Sequence, residues 1–123
     1  MTLAIRFLLA TCFISVSHIA NATDSAIDPV YLDSVAIINV AGFGHFAGTL
    51  EIKVTNGISD LKGANCDSNY ISTRNTGEGF KEMVAVLLAA HTSQKPVNLG
   101  ITDNPAHNAF PGRCSLIYAV IQK

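Results

Sequence analysis

Apolar and polar positions alternate in several short segments of this chain, and that period predicts β-strands. Leu50, Ile52 and Val54 are separated by polar side chains, which is typical of a strand with one buried and one solvated face. A dense run of β-branched residues predicts a first strand, and looser alternation predicts a third, more polar one. In chain order, the predicted strands span residues 30–41, 50–55, 66–73, 97–101 and 115–121.

Two segments carry further expectations about their place in the fold. Residues 116–121 are apolar at every position, which indicates burial on both faces or a central place in a sheet. Residues 23–29 are short, polar and end at Pro29, so we expect a leader ahead of the domain.

The period becomes helical after residue 75. Apolar side chains between residues 80 and 91 recur at intervals of three and four and cover most of the helix circumference. Asn75 followed by Glu78 resembles a capping box, and Pro96 ends the segment. The resulting order β-β-β-α-β-β predicts an α+β fold. It is the element order of the OB-fold, a five-stranded, partly open barrel with one helix between strands 3 and 4.

The N-terminus has the pattern of an export signal. Arg6 supplies an early positive charge, residues 7–16 form a mostly apolar run, and Ala20-Asn21-Ala22 is typical of a cleavage site. We therefore expect a cleaved signal peptide at residues 1–22 and a single domain at 23–123, located in the periplasm or secreted. The alternative interpretation is an uncleaved membrane anchor.

Cleavage changes the cysteine count. Of the three cysteines, Cys12 would leave with the signal peptide, and Cys66 and Cys114 would remain. Because an exported chain folds in an oxidising compartment, these two residues are predicted to form a disulfide.

Charge excludes some partners. The formal net charge is −1, and the Lys and Arg side chains are scattered singly, so no basic patch is predicted that would bind nucleic acid. The apolar run at 83–90 is shorter than the roughly 20 residues that a membrane-spanning helix needs. No membrane span is therefore expected after cleavage.

Motifs for cofactor, metal or catalytic chemistry are weak. Residues 42–47 match the dinucleotide fingerprint G-x-G-x-x-A, but a strand rather than a helix is predicted after them, so a glycine-rich hairpin loop is favoured and no cofactor is expected. His45, His91 and His107 lack the spacing of metal ligands, so no metal site is expected. No nucleophile elbow is present, and a non-enzymatic function is predicted.

Some polar side chains occur close to aromatic ones in the sequence, and this combination is suited to binding sugars. The apolar face of a sugar packs on an aromatic ring, while polar side chains form hydrogen bonds with the sugar hydroxyls. Phe43 and Phe46, which flank the glycine-rich loop, are further aromatic residues of this kind. The competing interpretation is that these residues lie at core edges and turns. The candidate ligand-binding residues are Tyr31, Asp33, Ser34, Tyr70, His107, Asn108 and Phe110.

The C-terminal half also resembles a known group of proteins. Residues 81–90 carry a K-x-M-x-x-x-L-L-A-A helix, Thr92-Ser93-Gln94-Lys95 follows as a T-S-G-K-like exit, and a V-x-L strand begins at Val97, with one cysteine before the helix and one before the last strand. This pattern resembles small exported bacterial proteins similar to the B subunits of subtilase-cytotoxin and pertussis-like toxins. The resemblance implies an OB-fold, glycan binding and a homo-oligomer. Asp33 and Ser34 lie in the region where those B subunits place a sugar-contacting serine.

Three hypotheses for function follow. The first is an exported glycan-binding module, the second is a periplasmic or envelope protein-interaction domain without a sugar ligand, and the third is a small hydrolase.

Overall fold

A computed structural model describes residues 21–123 of the chain. The predicted signal peptide therefore lies almost wholly outside the described residues. Within them, six strands form two antiparallel three-stranded sheets, ordered β1-β5-β6 and β2-β3-β4. The elements are β1 (Asp24–Val30), β2 (Leu32–Ile38), β3 (Thr49–Val54), β4 (Tyr70–Thr73), α1 (Phe80–Ser93), β5 (Val97–Thr102), a 3-10 helix (Pro105–His107) and β6 (Ser115–Ile121).

The predicted α+β class is confirmed, because one helix accompanies two small sheets. The predicted count of five strands is wrong, since residues 24–30 form β1 rather than a polar leader. β1 is mostly exposed, but the alternate residues Ser25 and Ile27 are buried. The strand pairs antiparallel with β5. Pro29 is tolerated because β1 lies at the sheet edge, where one row of amides needs no partner strand.

The third predicted strand is shorter than its alternation indicated. Regular pairing begins only at Tyr70, because the Asp67 carboxylate accepts hydrogen bonds from the N–H groups of Asn69 and Tyr70. A short acidic side chain bonded to the backbone two and three residues later holds the segment in a turn. Cys66 consequently lies in a loop.

The helix begins at Phe80, five residues after the predicted cap. Gly79 is the N-cap and no side chain caps the helix, so the predicted capping box of Asn75 and Glu78 is wrong. Residues 75–79 form turns and a bend rather than helix, and Gly77 and Gly79 lie within this segment. At the other end, Gln94 adopts a left-handed conformation with φ of 53°, where the family-like pattern carries a glycine that can adopt this φ without strain.

Strand β5, rather than β6, is the central strand of its sheet. Val97, Leu99 and Ile101 of β5 are fully buried. In β6, by contrast, Ile117 and Val120 are about half exposed, so the prediction from the unbroken apolar run is wrong. The run is apolar because α1 packs on part of this edge strand, while the rest of the strand stays open to solvent.

One core connects both sheets and the helix. Leu50, Ile52 and Val54 are fully buried, which confirms the alternation predicted for β3. The sulfur atoms of Cys66 and Cys114 lie at disulfide distance, and their Cα atoms are 5.4 Å apart. Because Cys66 precedes β4 and Cys114 precedes β6, this pair links the two sheets.

Candidate ligand-binding face

Strand register places polar residues of the β2-β3-β4 sheet on the side away from the core. Val35, Ile52 and Ile71 pair across the sheet, and Ile52 and Ile71 are completely buried in the core. Side chains alternate between faces along a strand, so the rows on either side of this one point outward. We call this side the outer face; its paired rows are Ser34–Lys53–Tyr70 and Ala36–Glu51–Ser72.

Arg113, from the loop before β6, covers the centre of the outer face. Its guanidinium carbon lies 4.1 Å from the centroid of the Phe110 ring and 4.6 Å from that of Tyr70. The same group forms an ion pair with Glu51 and donates a hydrogen bond of 3.2 Å to the Ser72 hydroxyl. The sequence-predicted residues Tyr70 and Phe110 are therefore brought together by a cation that the sequence did not single out.

Glu51 is the acidic centre of this cluster. Besides Arg113, it accepts a 3.4 Å hydrogen bond from Ser72 Oγ, and its Oε2 lies 3.5 Å from His45 Nε2. The His45 ring also packs on Phe110, with 4.7 Å between ring centroids. Glu51 and Arg113 side chains are each only 17% exposed, so the pair is shielded from most of the solvent.

Beside the cluster lies a second cation–aromatic pair. Arg74 stands over the Phe46 ring at 4.2 Å and donates from Nε to the Asn108 carbonyl at 2.6 Å. The Asn108 side chain is used locally, since its Oδ1 accepts from the Phe110 N–H at 2.9 Å. Asn108 therefore shapes the loop that carries Phe110.

At the other end of the outer face, Asp33 lies at a bulge between Leu32 and Ser34. Its carboxylate accepts a 2.6 Å hydrogen bond from Thr55 Oγ1 and lies 3.3 Å from Lys53 Nζ. The Thr55 hydroxyl first, and then Lys53, hold the pKa of Asp33 below its ordinary value. Because Ser34 pairs with Lys53 and Lys53 with Tyr70, this group continues directly into the Arg113 cluster.

Two predicted residues lie away from this face. Tyr31, half exposed, borders a depression lined by residues 27–30 and 57–60. His107 is exposed and lines a pocket of about 190 Å³ near the start of α1, together with Thr73, Arg74 and Leu116. The structure therefore separates Tyr31 and His107 from the outer face on which Ser34, Tyr70 and Phe110 converge.

Sequence reasoning missed the charges that organise the site. Glu51 had only been assigned to the polar side of a strand, and its partner Arg113 lies 62 residues away. A glutamate and an arginine so distant have no periodic signal that joins them. The one local hint is that Arg113 directly precedes Cys114, whose link to Cys66 fixes the position of this loop.

The arrangement suits recognition by stacking and hydrogen bonding. Ser72 is completely buried and its hydroxyl donates to Glu51, so this serine is not presented to a substrate. Among residues 21–123, no group of three or more His, Cys, Asp or Glu side chains could hold a metal ion. In the same range, none of the helices is both long enough and apolar enough to cross a membrane. Comparison of the chain with protein-family models, curated proteins and solved structures finds no match.

Proposed function

We propose that this chain is an exported, non-enzymatic glycan-binding module whose sugar lies on the outer face. The observation that carries the proposal is the stack of Tyr70, Arg113 and Phe110 beside hydrogen-bonding side chains. The apolar face of a sugar ring packs on the face of an aromatic ring. The Lys53 ammonium can donate, and the Ser34 hydroxyl can donate or accept, to the sugar hydroxyls.

The topology supports an OB-like barrel as the scaffold. Only Tyr31 separates β1 from β2, so the two can be regarded as one bent strand that pairs with β5 at one end and β3 at the other. A parallel bridge between Ile71 and Cys114 joins β4 to the start of β6. Counted in this way, five strands are neighbours in the order β1/β2, β3, β4, β6 and β5, and the single bridge between β4 and β6 leaves the proposed barrel partly open.

This assignment also favours the outer face as the binding surface. OB-folds bind oligosaccharides and oligonucleotides on the face of their second and third strands, flanked by the loops between strands 1 and 2 and between strands 4 and 5. Those parts correspond to β3, β4 and the loops at 39–48 and 103–114. His45 comes from the first loop and Phe110 and Arg113 from the second, and all three contact the same cluster.

Contacts at Thr23 support the proposed cleavage site. Its backbone N–H donates to Asp103 Oδ1 at 2.6 Å, whereas Asn21 and Ala22 are exposed. Cleavage after Ala22 would convert this N–H into an ammonium group, and a charge-assisted bond to Asp103 is stronger than a neutral one. We infer export to the periplasm or the medium, where the Cys66–Cys114 link would persist.

A glycan array with the mature chain tests the proposal. For each bound glycan we expect Tyr70→Leu, which keeps apolar volume but removes the aromatic ring, to weaken binding about tenfold, the effect of losing roughly 1.4 kcal/mol. Tyr31→Leu is the matched control, because this half-exposed tyrosine lies off the outer face. Absence of binding across the array at high protein concentration, or an equal loss in both variants, would overturn the proposal.

A second candidate function is an envelope protein-interaction domain without a sugar ligand. Strand β6 favours it, since Ile117, Tyr118 and Val120 on this edge strand are 41–50% exposed. An apolar sheet edge can pair with another chain, including a second copy, as the resemblance to oligomeric B subunits implies. Native mass spectrometry of the mature chain gives its oligomeric state, and a monomer that captures one discrete envelope protein through β6 would favour this candidate.

A further inference from the structure

The most exposed apolar side chain of the described residues lies at the tip of the loop between β2 and β3. Phe43 is 102% exposed relative to a free residue, and Val40 is 73% exposed. Ile37 and Phe46 are each about half exposed at the base of the same loop. Scattered apolar residues are normal on a protein surface, but a group of four on one projection indicates a contact that the folded chain itself does not supply.

The backbone at the tip is a two-residue hairpin turn. Gly42 and His45 exchange backbone hydrogen bonds of 3.2 and 2.9 Å, and between them Phe43 and Gly44 have φ of 51° and 86°. Two positive φ angles define a type I′ turn, for which Asn-Gly is the favoured pair. A phenylalanine is disfavoured in this conformation and gains no contact there, so the fold does not account for its presence.

The projection is held from below. A Cβ placed on Gly44 would lie 2.9 Å from Cε2 of Phe110, so the turn rests closely on that ring. Phe46 is stacked under Arg74 at 4.2 Å. These contacts keep the tip in one position, which reduces the entropy lost when it binds a partner.

We propose that this tip, residues 39–46, inserts into the surface of a lipid bilayer. No Asp, Glu, Lys or Arg occurs between residues 34 and 50, so insertion of the tip moves no formal charge into the membrane. The hydrogen bonds between Gly42 and His45 pair backbone groups that would be costly to bury unpaired among lipid chains.

The shape and surroundings of the tip favour a bilayer over other occupants. Phe43 projects outward rather than lining a pocket, and a convex apolar tip fits a deformable surface. A sugar would find no hydrogen-bonding side chain in contact with this exposed ring, unlike the Tyr70 end of the outer face. Arg74, at the base over Phe46, can contact lipid phosphates once the tip is inserted.

Tryptophan fluorescence tests the proposal, because the chain contains no tryptophan. Phe43→Trp places a single reporter at the tip, and Leu88→Trp places one on α1, where Leu88 is 45% exposed. With vesicles of phosphatidylcholine, alone or mixed with phosphatidylglycerol, we expect a blue shift and quenching by brominated lipid for Phe43→Trp only. Both variants are tested as folded mature chains.

Phe43→Asn is the matched loss-of-binding variant. It supplies the residue that a type I′ turn favours, so the turn is retained while the apolar ring is removed. We expect its vesicle partition coefficient to fall roughly tenfold, the effect of losing most of one buried phenylalanine side chain, while its melting temperature stays equal or rises. Vesicle binding is measured without any glycan, so its outcome is independent of the proposed function.

Three results would overturn the proposal. The first is no spectral change for Phe43→Trp at millimolar lipid in both vesicle compositions. The second is an equal shift for Leu88→Trp, which would indicate non-specific adsorption. The third is a shift that grows with protein concentration in the absence of lipid, which would identify a second copy of the chain as the occupant.

Discussion

The two three-stranded sheets bury similar apolar faces in one core, but their opposite faces are built on different principles. The outer face of β2-β3-β4 carries the ion pair of Glu51 and Arg113. The Arg113 guanidinium also contacts the rings of Tyr70 and Phe110. On β1-β5-β6, the Tyr118 ring lies directly over Gly100, leaving no room for even one additional carbon. The first sheet is therefore expected to respond to changes of charge, and the second to changes of volume.

Removing the link between the sheets should have the largest effect. Cys66 and Cys114 are 48 residues apart, and in the chain-entropy model a cross-link of this length stabilises a fold by about 4 kcal/mol. We expect Cys66→Ala/Cys114→Ala to lower the free energy of unfolding by that amount in urea denaturation. Reduced wild-type protein is the control. Equal stability of the oxidised and reduced protein would contradict the prediction.

Gly100→Ala tests the volume-limited sheet. The added Cβ would lie 2.3 Å from two carbons of the Tyr118 ring, so the ring must move. We expect a loss of roughly 2–3 kcal/mol in the free energy of unfolding, as for other overpacked sites. Gly77→Ala is the matched control, because its Cβ meets nothing within 4 Å. Partial rescue by Tyr118→Ala would show that the ring is the cause.

Glu51→Gln tests the charge-limited sheet. It leaves the Arg113 guanidinium without its carboxylate in a mostly shielded position, so we expect a loss of roughly 1.5–2 kcal/mol in the free energy of unfolding. Glu78→Gln, at an exposed position, is the control. The effects of Glu51→Gln and Gly100→Ala should add to within about 0.5 kcal/mol, because the two sites share no contacting residue. Strong coupling would mean that the sheets do not respond independently.

The smallest expected effect concerns acid pH and Asp103, which directly follows β5. Hydrogen bonds from the backbone N–H of Thr23, and then of Asn65, lower the pKa of Asp103. The folded-state pKa lies below the unfolded value, so Asp103 stabilises the fold above about pH 4, and this contribution is lost as pH falls through the folded pKa. Asp103→Asn should flatten the decline of melting temperature below pH 4 relative to the wild-type chain.

Local patterns were sufficient for most elements. The alternation at Leu50, Ile52 and Val54 predicted β3, and the helical period predicted the body of α1, because burial of one face imposes those periods directly. The errors concern features that depend on distant neighbours. Residues 24–30 became a strand because the edge of β5 was available to pair with them.

The candidate site follows the same division. Tyr70, Phe110 and Ser34 were selected from residue type alone, and the structure places them on one face. Their common centre, Glu51 with Arg113, was not predicted. Glu51 and Arg113 are 62 residues apart, so their ion pair does not change the hydrophobic period of either segment.

What the sequence determined by itself is the α+β class, the alternation of the buried strand β3 and the identity of the two cysteines that approach each other. Each depends on a period or a count that is present within the chain. Only the tertiary structure decided that β5 rather than β6 is central, that Tyr118 closes over Gly100 and that Arg113 organises the outer face. These outcomes are set by which strands become neighbours, and neighbours are chosen by packing of the whole core rather than by any single segment.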